Sequence, residues 1–102
     1  MLLLEIYRLN KYYQKGFKLS YFATKNNVEI DLVLTKNRTH YLIEIKSSDL
    51  VDEREVTSLE RIAKDFPNIK KVFYLSNQKQ GMKIGLVDCL NWTAFLRDFE
   101  KL

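Results

Sequence analysis

Asp31, and thirteen positions further on the run Glu44-Ile45-Lys46, have the types and spacing to hold a hard cation beside an ammonium group. The stretch that carries them, Val28 to Ser48 (VEIDLVLTKNRTHYLIEIKSS), reads as two strands joined by a short polar turn. Side chains alternate between faces along a strand, so Glu29, Asp31 and Val33 share one face while Val28, Ile30, Leu32 and Leu34 share the other. In the second strand Leu42, Glu44 and Lys46 fall on one side, and Tyr41, Ile43 and Ile45 on a wholly apolar one. An antiparallel hairpin with Lys36 to Thr39 as a four-residue loop sets Val33 against Leu42, Asp31 against Glu44, and Glu29 against Lys46. Like charges at cross-strand range, about 4.5–5.5 Å between Cβ atoms, destabilise a sheet. A divalent cation converts that repulsion into coordination, and Mg²⁺ characteristically uses one or two carboxylates together with water and substrate phosphate. Lys46, on the same face, has the reach to orient or help deprotonate a water, or to neutralise charge building on a phosphate. The competing reading is an exposed Glu29–Lys46 ion pair worth about 0–1 kcal/mol, with Asp31 and Glu44 facing water at a sheet edge. The acid pair in its strand context favours the metal site.

The remaining elements must position this hairpin. Leu2 to Lys15 places Leu2, Leu3, Ile6, Leu9, Tyr12 and Tyr13 at helical spacing, with Gly16 as the stop. Its only acid, Glu5, reads equally as a solvated residue favoured near a helix N-terminus. Phe17 to Thr24 is aromatic and β-branched enough for a strand, and Lys25-Asn26-Asn27 signals a turn, which makes a three-stranded meander. Tyr12, Tyr13 and Tyr21 lie among lysines. Such a mixture can stack on nucleic acid, but half-buried positions at the core edge are the favoured reading. Asp52 and Glu55 have capping-box spacing before Val56, Leu59, Ile62, Ala63 and Phe66, an amphipathic helix ended by Pro67. Ile69 to Ser76 is a buried strand, so strand, crossover helix and strand follow one another. The core order is αβββαβ in a mixed α/β sheet. Ile84 to Val87 adds a short strand, and Asn91 caps a last helix carrying Trp92, Phe95, Leu96 and Phe99 as packing residues.

At 102 residues the chain fits one domain, 1–102, with a single core. Three glycines and one proline leave no linker or low-complexity segment. A net charge of +4 is compatible with a polyanion partner without requiring one. The single Cys89 excludes an intrachain disulfide and reads as a reduced buried thiol of a cytoplasmic protein. One histidine, His40, cannot supply a Ser-His-Asp set with confidence in its partners, and it reads as a strand residue rather than a base. No apolar run reaches the ~20 residues of a membrane span, so no membrane is expected as a partner. Lys70, Lys71, Lys79 and Lys83 form a scattered basic set of the kind that usually only solvates.

Asp31 followed by Glu44-Ile45-Lys46 resembles the signature of the PD-(D/E)XK nucleases, the restriction-endonuclease-like fold, with Ile30 where the family name has proline. From Leu4 to Phe95 the chain is similar to a narrower group, the uncharacterised nuclease-like domain at the C-terminus of many archaeal and bacterial AAA-type ATPases. The matching stretches are Leu4-Glu5-Ile6-Tyr7-Arg8, Tyr21-Phe22, Thr24-Lys25, Glu29-Ile30-Asp31-Leu32-Val33, Glu44-Ile45-Lys46-Ser47-Ser48, and Trp92 to Leu96. The resemblance implies the restriction-endonuclease-like αβββαβ core, with an added C-terminal strand and helix. It implies phosphodiester hydrolysis by an activated water, with Asp31, Glu44 and Lys46 catalytic, and Mg²⁺ or Mn²⁺ held by Asp31, Glu44 and the Ile45 carbonyl, Glu29 or Glu5 assisting. Lys25, Ser47 and Ser48 would touch nucleic acid, DNA before RNA, in a monomer or homodimer. The ATPase half is absent from the matching stretch, so the expectation is a free-standing form or an excised domain, with an AAA-type ATPase as a further partner. The alternative is a catalytically inactive module of the same fold that binds nucleic acid or the ATPase.

Overall fold

The computed structural model describes residues 2–23 and 29–102. Helix α1 (Leu2–Tyr12) is followed by strands β1 (Lys18–Ala23), β2 (Glu29–Lys36) and β3 (Thr39–Ile45). Helix α2 (Glu53–Lys64) leads to β4 (Ile69–Ser76), then β5 (Met82–Ile84), β6 (Val87–Asn91) and α3 (Trp92–Arg97), with a 3₁₀ turn at Phe99–Lys101. The six strands form one mixed sheet in the order β1-β2-β3-β4-β6-β5. The αβββαβ order expected from periodicity is therefore present, with β3 and β4 parallel across α2. Among the described residues no helix is long and apolar enough to cross a membrane.

The sheet is sandwiched between two apolar layers. On one face Ile6 of α1, Phe95 of α3 and Phe99 pack on Leu32, Leu34, Tyr41, Ile43, Phe73 and Leu75. On the other, Val56, Leu59 and Ala63 of α2 pack on Ile30, Val33, Leu42, Val72, Tyr74 and Cys89. The continuous apolar run of β4 follows from this, because a strand covered on both faces has no solvent side to make polar. Cys89 is fully buried, as expected of an unreactive thiol, and burial pushes its pKa up.

Three local expectations are corrected. The β2–β3 loop is Asn37-Arg38 rather than four residues, since Lys36 still pairs with Thr39 and both loop residues adopt positive φ, 53° and 67°. Such a mirror-type turn matches the twist of the flanking strands, which a four-residue loop need not do. Helix α1 stops before Gly16: Gln14 takes the left-handed conformation at φ 52°, and Lys15 N–H bonds the Asn10 carbonyl, a Schellman closure. The added strand expected at Ile84–Val87 is instead two strands, β5 and β6, because Gly85 at φ 57° reverses the chain between Ile84 and Val87. Thr24, Val28 and the turn expected at Lys25-Asn26-Asn27 lie outside the described residues, as does Lys25 as a nucleic-acid contact.

Candidate functional site

The register of the first hairpin is the expected one, Val33 opposite Leu42 and Leu32 opposite Ile43, but the paired ladder ends there. The reason lies on the other side of β2. Between the pairs Ser20–Val33 and Phe22–Ile30, β1 contributes one residue and β2 contributes two, so Asp31 and Leu32 form a bulge. A bulge breaks the two-residue alternation. Ile30 consequently packs with Val33 against α2, whereas strict alternation had placed it with Leu32 and Leu34 on the opposite face.

Where the ladder stops, side chains replace it. The Ile45 N–H donates to Asp31 Oδ2 at 2.9 Å. Glu44, the residue before Ile45, lies close enough to Asp31 for that carboxyl group to govern its titration. The two carboxyl groups expected to face each other are therefore neighbours, although the paired ladder does not reach them. Partial burial, followed by the Asp31 carboxyl group and its charge, pushes the Glu44 pKa up to about 8, and the nearby Lys46 ammonium offsets only part of that rise. A carboxyl group with so raised a pKa carries its proton at neutral pH.

Lys46 does not meet Glu29. Its Nζ lies 2.7 Å from Glu55 Oε2 on α2, and the hydrogen bond to Glu55 holds its pKa above the ordinary lysine value. Lys46 is thus an ammonium that donates, not a base. The sequence marks Asp52 and Glu55 as a capping box, and Asp52 does cap the helix, its side chain accepting from Arg54 N–H. The other half is redirected: the Tyr74 hydroxyl donates to Glu55 Oε1 at 3.0 Å, and Asp52 N–H approaches the same hydroxyl at 3.5 Å. Tyr74 is fully buried between them, so α2 is pinned to the site through one phenol. Tyr74→Phe should cost about 1–3 kcal/mol in a denaturant melt, because the Glu55 acceptor and the Asp52 donor both lose their partner. An unchanged midpoint would show that water replaces the hydroxyl freely.

The other expected residues are dispersed around this centre. Glu29 pairs with Ala23 of β1; desolvation, the nearby Glu29 carboxylate and the Asp31 charge raise the Tyr21 pKa. Glu5 faces the same groove as Lys46, but its carboxylate is bridged to Arg8 at 3.3 Å. Ser47 and Ser48 follow β3 as a loop held by Asn77, which reaches the Ser47 and Ser48 carbonyls, and the Ser48 hydroxyl donates to the Leu50 carbonyl. His40 stands at the far end of the hairpin on Thr35, Nδ1 to Oγ1 2.9 Å, and is a strand residue as read. Tyr12, Tyr13 and Tyr21 are exposed rather than half-buried. Among the described residues no group of three or more His, Cys, Asp or Glu side chains is poised to hold a metal. The donor set is the Asp31–Glu44 pair, which suits a cation that keeps several waters and is bound by one or two carboxylates.

A family model described as a domain of unknown function (DUF4143) matches residues 2–95. No curated protein and no solved structure matches the chain.

Proposed function

The chain belongs to the DUF4143 family, and from the chemistry of its own residues we propose that it is a metal-dependent nuclease hydrolysing phosphodiester bonds, DNA before RNA. The observation that carries the reading is that Asp31, anchored on the Ile45 N–H, neighbours Glu44 at the point where β2 and β3 part, with the Lys46 ammonium two residues beyond Glu44. Two carboxyl groups forced together at a sheet end, one with a pKa near 8, are a costly arrangement for stability alone and a suitable one for Mg²⁺ or Mn²⁺. Asp31 and Glu44 would hold the ion with the Ile45 carbonyl, and the ion would supply Lewis acidity toward a phosphate and lower the pKa of water there.

The chain's own groups account for the rest. Asp31 is aimed by the Ile45 N–H, which keeps one carboxylate oxygen in place along the strand edge. Lys46 is kept charged by Glu55, so its role is to orient the attacking water and to stabilise negative charge on the phosphate as it is attacked. The water oxygen bonds to phosphorus, the bond to one sugar oxygen breaks, and the products are a phosphomonoester and a free hydroxyl. No covalent enzyme intermediate is required.

The test is a panel of labelled DNA and RNA substrates with Mn²⁺ or with EDTA, comparing the native chain with Asp31→Asn and Lys46→Ala prepared identically. Cleavage by the native chain alone, abolished by EDTA, is expected. Equal cutting by all three would assign the activity to a contaminant. Absence of cutting with retained binding would favour the alternative, an inactive module of this family that binds nucleic acid or a partner ATPase.

A further inference from the structure

Around Ile45 and Lys46, at the C-terminal ends of β3 and β4, lies a groove of about 800 Å³ whose lining includes Glu5, Ile45, Lys46, Asn77, Trp92 and Leu96. Its volume is in the range of small-molecule and nucleotide sites. Trp92, the chain's only tryptophan, falls on the packing stripe of α3 in the sequence, yet it is 38% exposed and stands on the groove. Its ring is also held. The indole N–H donates to Asn77 Oδ1 at 2.6 Å, and Asn77 Nδ2 donates to the Ser47 carbonyl at 3.0 Å, so Trp92 is tied through one amide to the residue after Lys46. An indole whose polar edge is already satisfied, and whose ring is fixed next to a phosphate-handling lysine, is a stacking platform.

The rest of the lining narrows what can lie on it. Leu2, Ile45 and Leu96 supply apolar contact, and the one acid, Glu5, disfavours a phosphate in the groove while accepting hydrogen bonds from an amino or imino group. A flat, uncharged group with donors on its edge satisfies all of these, with its phosphate turned toward Lys46 and away from Glu5. We propose that this groove is a nucleobase subsite in which an unpaired base stacks on Trp92, so that the substrate class is single-stranded nucleic acid, or a duplex with an unpaired end. The proposal rests on the nuclease reading for its purpose but not for its measurement. A base inside a blunt duplex is already stacked and cannot enter the groove.

Because Trp92 is the only tryptophan, its fluorescence reports the subsite directly. The native chain is titrated in EDTA, where binding is read apart from cleavage, with an oligothymidylate of about 15 nucleotides and with a blunt hairpin duplex of equal length. Affinity for the labelled oligonucleotide is measured by anisotropy for the native chain, Trp92→Phe and Trp92→Ala. Expected are saturable quenching by the single strand alone, an affinity about 5- to 100-fold weaker in Trp92→Ala, and a smaller loss in Trp92→Phe, which keeps an aromatic face. Quenching and tight single-strand binding by a chain that cuts nothing would uphold the subsite while sinking the nuclease reading. Cleavage that is unaffected by Trp92→Ala, with no quenching, would overturn the subsite while the nuclease reading stands. Equal quenching by the duplex overturns the single-strand assignment, and no response to either nucleic acid overturns the subsite and leaves the groove to a protein partner. If Trp92→Ala does not fold, the native titration and Trp92→Phe still decide.

Discussion

On the nuclease reading Glu44→Gln is expected to abolish cleavage and, in EDTA at pH 8, to raise the melting temperature above that of the native chain. The two effects have one origin. In the metal-free chain partial burial and the neighbouring Asp31 favour the protonated form of Glu44, and its pKa is pushed from the ordinary carboxylate range to about 8. A folded-state pKa above the unfolded value means that the folded chain binds this proton more tightly. The stabilisation is fully present below about pH 4.5 and is lost as the pH rises through about 8. Glutamine copies the protonated side chain in shape and in its ability to donate, at every pH. The site is half open to solvent, which screens the repulsion, so the gain at pH 8 should be about 1–2 kcal/mol, or roughly 5–15 °C in a domain of this size. Mn²⁺ or Mg²⁺ should invert the order. An ion bound only by the folded native chain stabilises it by about 2.7 kcal/mol at a hundredfold excess over the dissociation constant, whereas the glutamine variant, with one carboxylate fewer, should respond weakly. Cleavage should fall by at least about 100-fold, the scale seen when a charge-stabilising group is removed from a catalytic centre. Parallel melts at pH 5 and pH 8, with and without the ion, decide it. A glutamine variant less stable than the native chain at pH 8, together with a metal-insensitive native melt, would return Asp31 and Glu44 to the role of ordinary surface acids.

Phe99→Ala should cost about 3–5 kcal/mol, the usual range for emptying a buried phenylalanine site. Phe99 is fully buried and lies past the stretch the family model matches. Its ring meets Phe17 at 6.1 Å and Phe95 at 6.0 Å, both edge-on, so it locks the end of α3 against the entrance to β1. The loss is a large share of the 5–15 kcal/mol typical of a whole domain, and the melting temperature should drop by at least about 12 °C. Phe99→Leu, which retains most of the volume, should lose about 1.5 kcal/mol or less. Denaturant melts of the three proteins measure this. An alanine variant within about 1 kcal/mol of the native chain would mean that the 3₁₀ turn contributes little packing, and α3 with Trp92 would then need another anchor.

The sequence by itself determined the order of helices and strands from α1 to β4 and which two acids would be neighbours. The alternation in β2 and β3 and the buried run in β4 are direct consequences of which faces are covered, and covered faces must be apolar. The strand–helix–strand order follows the same rule, since α2 needs one apolar stripe to lie on the sheet. The hairpin register was legible because only one alignment sets apolar opposite apolar and leaves the charges together. Asn91 as a cap and the spacing of Asp52 were legible because capping is local. What the tertiary structure alone decided depends on partners remote in the chain. The bulge at Asp31-Leu32 is a mismatch between β1 and β2 that neither strand encodes by itself, and it turns Ile30 to the other layer. Lys46 had two acids in reach along its own sheet, but its ammonium is long and flexible, and it took Glu55 on α2 because the buried Tyr74 holds that carboxylate in place. Trp92 looked like one more apolar residue on a helical stripe. Its exposure was settled by where α3 meets the ends of β3 and β4, a docking angle fixed by Phe95 and Phe99 packing on the sheet, which no local pattern records.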